Sequence, residues 1–349
     1  MVPTGGSVAV DPLPGAGEPE AVLIRTPNWL GDLLVSTAFI RAVLQRFPGI
    51  RVDLIVRRGF EVLPLPQRGR LLPFDRQATS AGAFGRALRG QGYSHLFVLP
   101  PSFSSAWMAW RSGIPRRIGY HGEGRAWLLS PALRHRHAPR SVHLAQEYLD
   151  LLQPWLDAPL QATPEAPAAG LELPAGWAEA HRPPRAPAPG SYVVVAPGAE
   201  YGPAKMWPVE HYRAVAAALD GAGWPVLVAG LAKDRPLGEA ILAGTERGLN
   251  LCGETDLRGL TALLADARLL ISNDSGAMHL GAALGLPQLA LFGSTNPTWT
   301  GPLNLRAEVL YRAEACSPCY ARECPLGHFR CMRELRPEPV AERALALLR

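Results

Sequence analysis

Lysine is almost missing from this chain. Only Lys205 and Lys233 occur in 349 residues, so arginine supplies nearly all of the positive charge. Long apolar runs are missing as well, because no stretch approaches the roughly eighteen apolar residues that a membrane-spanning helix needs. We therefore expect a protein that is soluble or only peripherally attached to a membrane.

Residues 1–20 lack the basic start and the apolar middle of a secretory signal. They are rich in Gly, Pro, Ala and Glu instead. We expect this segment to be a disordered tail on a cytoplasmic protein.

The positive charge is concentrated in the first part of the chain. Residues 1–150 hold 18 arginines and 10 acidic residues, whereas the remainder holds 17 basic and 20 acidic residues. An arginine-rich genome would affect both parts equally, so this asymmetry favours a polyanionic partner of the first part: nucleic acid, anionic lipid or a phosphorylated glycan. No recognition-helix or RNA-binding signature accompanies the charge, so we expect no nucleic acid partner.

The length and the alternation of elements predict two α/β domains. Residues 21–153 alternate strands and helices, and the pattern resumes over residues 191–336. Residues 154–190 between them hold nine prolines and no strand-like run, which is typical of a linker. Residues 337–349 have the apolar spacing of an amphipathic helix, which we expect to pack back onto a domain.

The stretch LLISNDSGAMHLGAALGLPQLALF, residues 269–292, predicts a strand, a polar turn, a small-residue helix and a second strand. Ser275 and Gly276 open that helix, whose first N–H groups could bind a phosphate. Asp274 could instead simply cap the helix, and for an isolated turn that is the commoner outcome.

Two other positions follow first strands. Asp32 lies just after the strand Ala21–Arg25, where open parallel sheets place ligands, although a carboxylate there could also serve as a helix cap. Lys205 lies in the loop PGAEYGPAKMWP, residues 197–208, after the strand that begins at Tyr192. A compact ammonium suits a diphosphate, and the glycines and prolines of the loop favour this role over a solvated surface lysine.

Four of the five cysteines form C-x2-C-x4-C-x6-C at Cys316, Cys319, Cys324 and Cys331. Zinc is the first expectation for such short spacings in a reducing compartment. Paired disulfides or an iron–sulfur cluster are the alternatives, since the spacing matches no standard zinc pattern closely. In each case the expected role is structural.

Four segments together resemble the ADP-heptose:lipopolysaccharide heptosyltransferases of glycosyltransferase family 9, and within them the heptosyltransferase II group. They are VLIRTPNWLGDLLVSTAFIRAV, VLPPSFSSAWMAWRSGIPRRIGY, PGAEYGPAKMWP and ISNDSGAMHLGAALGLPQLALFGSTNP. The resemblance covers nearly all of residues 22–348 except the proline-rich segment. It implies the GT-B fold, in which two Rossmann-like domains face a central cleft.

The same resemblance implies the roles of individual residues. Asp32 would be the catalytic base. The donor ADP-heptose would be bound by Lys205, Asp274, Ser275, Gly276, His279, Gly198 and Glu200. The phosphorylated lipid A core would be bound in the basic part of the chain by Asn28, Arg57, Arg58, Arg116 and Arg117.

The expected reaction is an inverting transfer of heptose to the heptosyl-Kdo2-lipid A core at the cytoplasmic face of the inner membrane, with no cofactor required for catalysis. Heptosyltransferases I and III are the nearest alternatives. A nucleotide-binding or polyanion-binding protein without catalytic activity is the alternative from another class.

Overall fold

The computed structural model of the protein describes residues 18–164 and 170–349. Over these residues the chain forms two six-stranded sheets. All strand pairs within the named strands are parallel. The predicted α/β class is therefore confirmed. The predicted disordered tail lies outside the described residues, apart from residues 18–20.

The N-terminal sheet has the order β3-β2-β1-β4-β5-β6. Its strands are β1 (Ala21–Arg25), β2 (Arg51–Arg57), β3 (Leu71–Phe74), β4 (His95–Val98), β5 (Arg116–Tyr120) and β6 (Ala132–Leu133). The C-terminal sheet has the order β12-β11-β10-β7-β8-β9. Its strands are β7 (Val193–Ala196), β8 (Val226–Val228), β9 (Leu249–Asn250), β10 (Leu269–Asn273), β11 (Gln288–Phe292) and β12 (Ala307–Tyr311).

Helices connect these strands. They are α1 (Leu30–Val35), α2 (Thr37–Arg46), α3 (Ala81–Ala87), α4 (Phe103–Ser112), α5 (Leu144–Leu149), α6 (Trp177–His181), α7 (Val209–Gly221), α8 (Arg235–Leu242), α9 (Leu257–Ala265), α10 (Gly276–Ala283), α11 (Pro297–Thr300), α12 (Arg330–Arg333) and α13 (Pro337–Leu347). The central strands are buried along their whole length, as β1, β7 and β10 show. Continuous apolar runs such as VVVA suit this position because helices cover both faces of the sheet.

Each sheet has a point where the strand order reverses. In the N-terminal sheet the first strand, β1, lies between β2 and β4, and in the C-terminal sheet β7 lies between β8 and β10. Open α/β sheets bind ligands outside the carboxyl ends of the strands at such a point. The residues that follow β1, β7 and β10 are therefore the candidates for ligand binding.

One predicted helix is two helices in the structure. The sequence pattern predicts one helical run from Leu33 to Phe47, but α1 begins at Leu30 and is separated from α2 at Ser36. The hydroxyl of Ser36 donates to the carbonyl of Leu33 (2.7 Å), and that of Thr37 donates to the carbonyl of Leu34 (2.6 Å). Side-chain hydroxyls that bond back to helix carbonyls in this way bend helices.

Sequence patterns did not reveal three strands, β3, β6 and β12. Two of them, β3 and β12, occupy sheet edges, and β3 contains Pro73, which is tolerated only at such positions. The remaining strand, β6, has two residues and forms the other edge of the N-terminal sheet. Short edge strands carry little periodicity, so pattern reading misses them.

The described parts of the proline-rich segment contact both sheets' helices. Gly170 donates its N–H to the Thr37 hydroxyl (3.1 Å) in α2, and the buried Leu171 donates its N–H to the carbonyl of Ala283 (2.8 Å) in α10. The helix α6 then packs against α9. Residues 165–169 of the predicted linker lie outside the described residues.

The last helix, α13, packs against α7 of the C-terminal part. Val340 and Ala344 of α13 share a core with Val215 and Leu219 of α7. In the described part of the chain, no helix has the length and apolar character required to cross a membrane.

Glycine allows α3 and α4 to approach closely. A Cβ atom on Gly85 would lie 2.3 Å from the carbonyl oxygen of Met108, a backbone atom that cannot move away alone. We expect Gly85→Ala to lower the free energy of unfolding by about 1–3 kcal/mol, because overpacking forces the helices apart. Gly221→Ala, where nothing lies within 4 Å, should instead raise it by roughly 0.5 kcal/mol. Urea unfolding of both variants checks this, and equal effects would contradict it.

Candidate active site

Asn273, the last residue of β10, fixes the loop that follows β7. It is fully buried. Its Oδ1 accepts hydrogen bonds from the N–H of Trp207 (3.2 Å) and the hydroxyl of Tyr212 (2.9 Å), and its Nδ2 donates to the carbonyl of Pro197 (2.6 Å). One amide therefore holds both ends of the loop 197–207 against the carboxyl end of β10.

The loop places Lys205 on Asp274. The ammonium Nζ lies 2.6 Å from Oδ2 of Asp274, and the two side chains are only 14% and 4% exposed. The same oxygen accepts hydrogen bonds from the hydroxyls of Thr295 (2.7 Å) and Thr300 (3.3 Å). A buried carboxylate requires such partners. Asp274 thus binds Lys205, Thr295 and Thr300 rather than capping α10.

Ser275 is the residue that caps α10. Its Oγ accepts a hydrogen bond from the N–H of Met278 (3.4 Å). The turn predicted from the sequence is therefore confirmed. Ser275 caps the helix, whereas Asp274 forms an ion pair with Lys205. The first-turn N–H groups of a helix attract anions.

Two glycines bring α1 and α10 together. A Cβ on Gly31 would lie 2.6 Å from Cδ2 of His279, and a Cβ on Gly276 would lie 3.1 Å from Cδ2 of Leu30. The N-terminal sheet's first helix therefore touches the helix that follows β10. This contact brings Asp32, in the first turn of α1, to the site of Lys205 and Asp274.

Asp32 has an altered proton affinity. Burial raises its pKa from 3.8 to about 6; Lys205 opposes the shift and Asp274 adds to it. The carboxylate is therefore ionised at neutral pH but binds a proton far more readily than an exposed aspartate. A general base works best with a pKa near the working pH.

His279 is held in its neutral form. Burial lowers its pKa to about 4, the nearby Asp274 opposes the shift, and His143 and Lys205 add to it. Its Nε2 lies 3.9 Å from Oδ1 of Asp274. His143, the cap of α5, bonds through Nε2 to the carbonyl of Gly301 (2.9 Å) and so links the two parts of the chain.

Three of the predicted acceptor residues lie at the same edge of the N-terminal sheet as Asp32. Asn28 follows β1, Arg57 ends β2 and Arg58 follows it. The Oδ1 of Asn28 accepts a hydrogen bond from the buried Arg25, and its carbonyl accepts one from Arg57 (3.4 Å). The guanidinium of Arg58 lies 3.8 Å from Asp75 and stays largely exposed.

The other two predicted acceptor residues lie elsewhere. Arg116 and Arg117 begin β5, so they lie at the amino ends of the strands, whereas Asp32 follows the carboxyl end of β1. The guanidinium of Arg117 donates to the carbonyls of Leu128 (2.9 Å) and Ile114 (2.6 Å). An acceptor role for this pair stays a prediction, and it would require the acceptor to reach the end of β5 away from Asp32.

The chain is similar to proteins of known family. The family model described as glycosyltransferase family 9 (heptosyltransferase) matches residues 81–330. Lipopolysaccharide heptosyltransferase 2 of Escherichia coli strain K12 is 31% identical over 351 residues, covering 94% of this chain and 98% of that protein. The chain belongs to glycosyltransferase family 9.

Solved structures agree with this membership. The structure of E. coli ADP-heptose LPS heptosyltransferase II matches with a TM-score of 0.79 and 28% identity, covering 94% of this chain and 98% of that one. E. coli heptosyltransferase WaaC with ADP matches with a TM-score of 0.71 at 19% identity, over 94% and 99% of the two chains, and so shares the fold. The expected GT-B fold is confirmed, and the protein is a glycosyltransferase.

Two predicted donor residues of this family 9 enzyme contact other protein groups. Glu200 is exposed and pairs with Lys233 at 2.6 Å. Gly198 allows a close approach, since a Cβ there would lie 2.9 Å from Oδ2 of Asp234. Both follow β7, but only Lys205 of this loop reaches Asp274.

Sequence reasoning missed Thr295 and Thr300, which bind Asp274. Thr295 follows β11, so the rule that selected Asp32 could have found it. Thr300 ends the short helix α11, and no sequence signal marks it. Arg140 was also missed, although its guanidinium lies 3.9 Å from the ring centre of Tyr320 and joins the N-terminal part to the C-terminal part.

The four clustered cysteines of the enzyme line one cavity. All are free thiols. Burial and the other three thiols raise the pKa of Cys331 to about 11. Burial would also raise the pKa of Cys324, but backbone N–H groups, led by that of Phe329, lower it overall. Over residues 18–164 and 170–349, no three His, Cys, Asp or Glu side chains are placed to hold a metal ion. The structural zinc site stays a prediction.

The raised pKa of Asp32 predicts a pH-dependent cost in stability. Because the folded-state pKa of about 6 exceeds the ordinary 3.8, ionisation destabilises the fold as the pH rises through this interval. We expect Asp32→Asn to raise the free energy of unfolding at about pH 8 by up to roughly 3 kcal/mol, with little change near pH 4. Urea unfolding at both pH values measures this.

The matched control is Asp157→Asn, since Asp157 is exposed. It should leave the free energy of unfolding unchanged at both pH values. An Asp32→Asn effect that is the same at both pH values would show that ionisation is not its cause.

Proposed function

We propose that the protein transfers heptose, with inversion, from ADP-L-glycero-D-manno-heptose to the heptosyl-Kdo2-lipid A core of lipopolysaccharide. The observation that carries the proposal is the proximity of Asp32 to the Lys205–Asp274 pair. Asp32 follows a strand of the N-terminal sheet, and the pair follows strands of the C-terminal sheet. Supporting it are the relatives in E. coli and in Salmonella typhimurium, named lipopolysaccharide heptosyltransferase 2, each 31% identical over 94% of this chain.

The donor diphosphate is proposed to bind at the carboxyl edge of the C-terminal sheet. Lys205 exchanges part of its interaction with Asp274 for the diphosphate, and the first turn of α10, at Ser275 and Gly276, supplies N–H groups. Neutral His279 lies beside them and can donate or accept a hydrogen bond without adding charge. Stabilisation of the departing ADP then comes from the chain's own groups.

Asp32 is proposed to take the proton of the acceptor hydroxyl. Its pKa of about 6 keeps it ionised at neutral pH yet able to accept a proton. The deprotonated oxygen attacks the sugar's anomeric carbon from the face opposite ADP, and the bond to ADP breaks. This sequence inverts the configuration at that carbon and needs no cofactor.

The acceptor is proposed to lie against the N-terminal part. Asn28, Arg57 and Arg58 lie at the edge that also holds Asp32. The excess of arginine over residues 1–150 suits a phosphorylated glycan anchored by lipid A. On this basis residues 21–153 form the acceptor domain, residues 191–336 the donor domain, and the enzyme works peripherally at the cytoplasmic face of the inner membrane.

The acceptor decides between this proposal and a transferase that adds the first heptose. Lipopolysaccharide heptosyltransferase 1 of Pseudomonas aeruginosa is 28% identical over 94% of this chain and 97% of that protein. We expect transfer to a core that carries one heptose and none to a heptose-free core. Mass spectrometry of the lipid product measures both, and transfer only to the heptose-free core would contradict the proposal.

Variants separate the base from the donor site. Asp32→Asn keeps the shape but removes the base, so we expect turnover to fall by about 10² to 10⁴-fold with ADP affinity nearly intact. Lys205→Ala should weaken ADP binding and also slow transfer, because the ammonium binds the diphosphate before and after the reaction. Calorimetry measures the affinity for ADP, and product formation measures the rate of transfer.

The other lysine provides the control for this pair of variants. Lys233→Ala removes a lysine that pairs with Glu200 at the surface, so it should change neither ADP affinity nor turnover. Near-normal transfer by Asp32→Asn would identify Asp32 as a structural residue and place the base elsewhere.

The pH profile tests the electrostatics of the same site. We expect kcat/KM to rise with pH through about 6 as Asp32 ionises. Lys205→Met should move this limb to higher pH, since the lysine's charge lowers the pKa of Asp32. Asp274→Asn should move it to lower pH. If kcat/KM rises at the same pH in both variants as in the intact protein, the assignment of Asp32 as the base is contradicted.

A further inference from the structure

Exposed aromatic side chains are concentrated in the N-terminal part of the protein. Among the residues that the structure describes, the exposed large aromatic side chains are Trp29, Phe103, Trp110 and Trp127, with 49%, 43%, 41% and 63% exposure. The exposed large aliphatic side chains all lie in the C-terminal part, between Leu231 and Leu326. Soluble surfaces rarely group large apolar side chains without a partner.

Three of these side chains form one continuous patch, which we call the aromatic patch: Phe103, Trp110 and Trp127. The ring centres of Phe103 and Trp127 are 6.5 Å apart, and those of Trp110 and Trp127 are 6.3 Å apart. Trp110 also stacks on the half-buried Trp107 at 5.0 Å. None of the three patch residues belongs to a hydrophobic core cluster.

Positive charge predominates in the chain around the aromatic patch. Between Asp75 and Glu123 there is no acidic residue, whereas six arginines occur there. The guanidinium of Arg111 lies 5.3 Å from the ring centre of Trp107, and Arg89 donates to the carbonyl of Arg111 (2.9 Å). Glu123, the nearest acid along the chain, accepts the N–H of Phe103 (3.2 Å) at the start of α4.

The patch lies near the edge that holds Asp32. Phe103 begins α4, directly after the carboxyl end of β4, and β4 neighbours β1 in the sheet. Trp127 follows the carboxyl end of β5. A surface that touched Phe103 and Trp127 would therefore face the side of the sheet on which Asp32 lies.

We propose that the aromatic patch and the arginines beside it dock the enzyme on the surface of an anionic phospholipid bilayer. Tryptophan rings sit well at the boundary of headgroups and acyl chains, and arginine attracts anionic headgroups. A single amphipathic surface provides both, next to the edge where the proposed acceptor would be received. This inference rests on the proposed function for its purpose, but the docking itself can be measured alone.

The test compares two double variants with the intact protein. Trp110→Ser with Trp127→Ser removes both tryptophan rings of the patch, and Leu231→Ser with Leu305→Ser removes exposed apolar side chains of the C-terminal part. Sedimentation with vesicles of mixed phosphatidylcholine and phosphatidylglycerol measures binding, and circular dichroism checks folding. We expect at least about a tenfold loss of vesicle affinity for the tryptophan variant and none for the leucine variant.

Charge is tested separately. The exposed Arg86, in the last turn of α3, can be changed to Glu. Arg86→Glu should weaken binding to the mixed vesicles, and added salt should weaken binding of the intact protein. Equal binding of the intact protein to vesicles of phosphatidylcholine alone would overturn the part of the proposal that assigns anionic lipid.

The transfer assay separates this inference from the proposed function. The tryptophan variant should lose about tenfold in kcat/KM on acceptor held in vesicles and keep its activity on deacylated, water-soluble acceptor. If the intact protein transfers to neither acceptor, the proposed function fails while vesicle binding still decides the docking surface. Vesicle binding that is absent in the intact protein, or unchanged in the tryptophan variant, overturns the inference and assigns the patch to a protein partner.

Discussion

The buried carboxylate of Asp274 is the constraint on which the rest of the cleft depends. A charge that is only 4% exposed needs several polar partners, and Asp274 receives them from Lys205, Thr295 and Thr300. Lys205 belongs to the connection that follows β7, whereas Thr295 and Thr300 both belong to the connection that follows β11. One carboxylate therefore fixes two connections at the end of the sheet where a ligand would bind.

Close helix packing supplies the other half of the arrangement. Gly31 and Gly276 let α1 and α10 approach closely, and a Cβ at position 31 would collide with His279. The approach leaves Asp32 half-buried and within the field of both Lys205 and Asp274. Stability and chemistry conflict at this residue, since the burial that tunes its pKa also makes its ionised form costly.

Much of this site could be predicted because it follows a rule of topology. Asp32, Lys205 and Asp274 were found as polar residues after buried strands, and the structure brings all three together. Arg116 and Arg117 begin β5 and so lie at the other end of the strands from Asp32, and their role at the acceptor stays a prediction. Thr300 could not be found, because its role depends on a hydrogen bond to a residue 26 positions away that no local pattern encodes.

The cysteine cluster shows a different limit of sequence reasoning. Short spacing brought Cys316, Cys319, Cys324 and Cys331 to one cavity, as the pattern indicated. Ligand geometry needs more than proximity, because metal ligands must converge at fixed distances and angles. Spacing alone specifies the neighbourhood of the thiols, whereas their geometry also depends on the backbone between them, which includes the left-handed Tyr320 and Phe329.

Charge balance explains why one lysine can serve the proposed reaction. Lys205 contributes a single positive charge to a site that already contains Asp32 and Asp274. In the proposed transfer, a negative charge disappears at Asp32 when it takes the acceptor's proton, and one appears on ADP when the bond to the sugar breaks. The total charge near Lys205 stays constant, so the ammonium needs only to follow the charge from one side of the cleft to the other. A flexible point charge does this better than a planar guanidinium, which favours a lysine at position 205 in a chain whose other basic residues, apart from Lys233, are arginines.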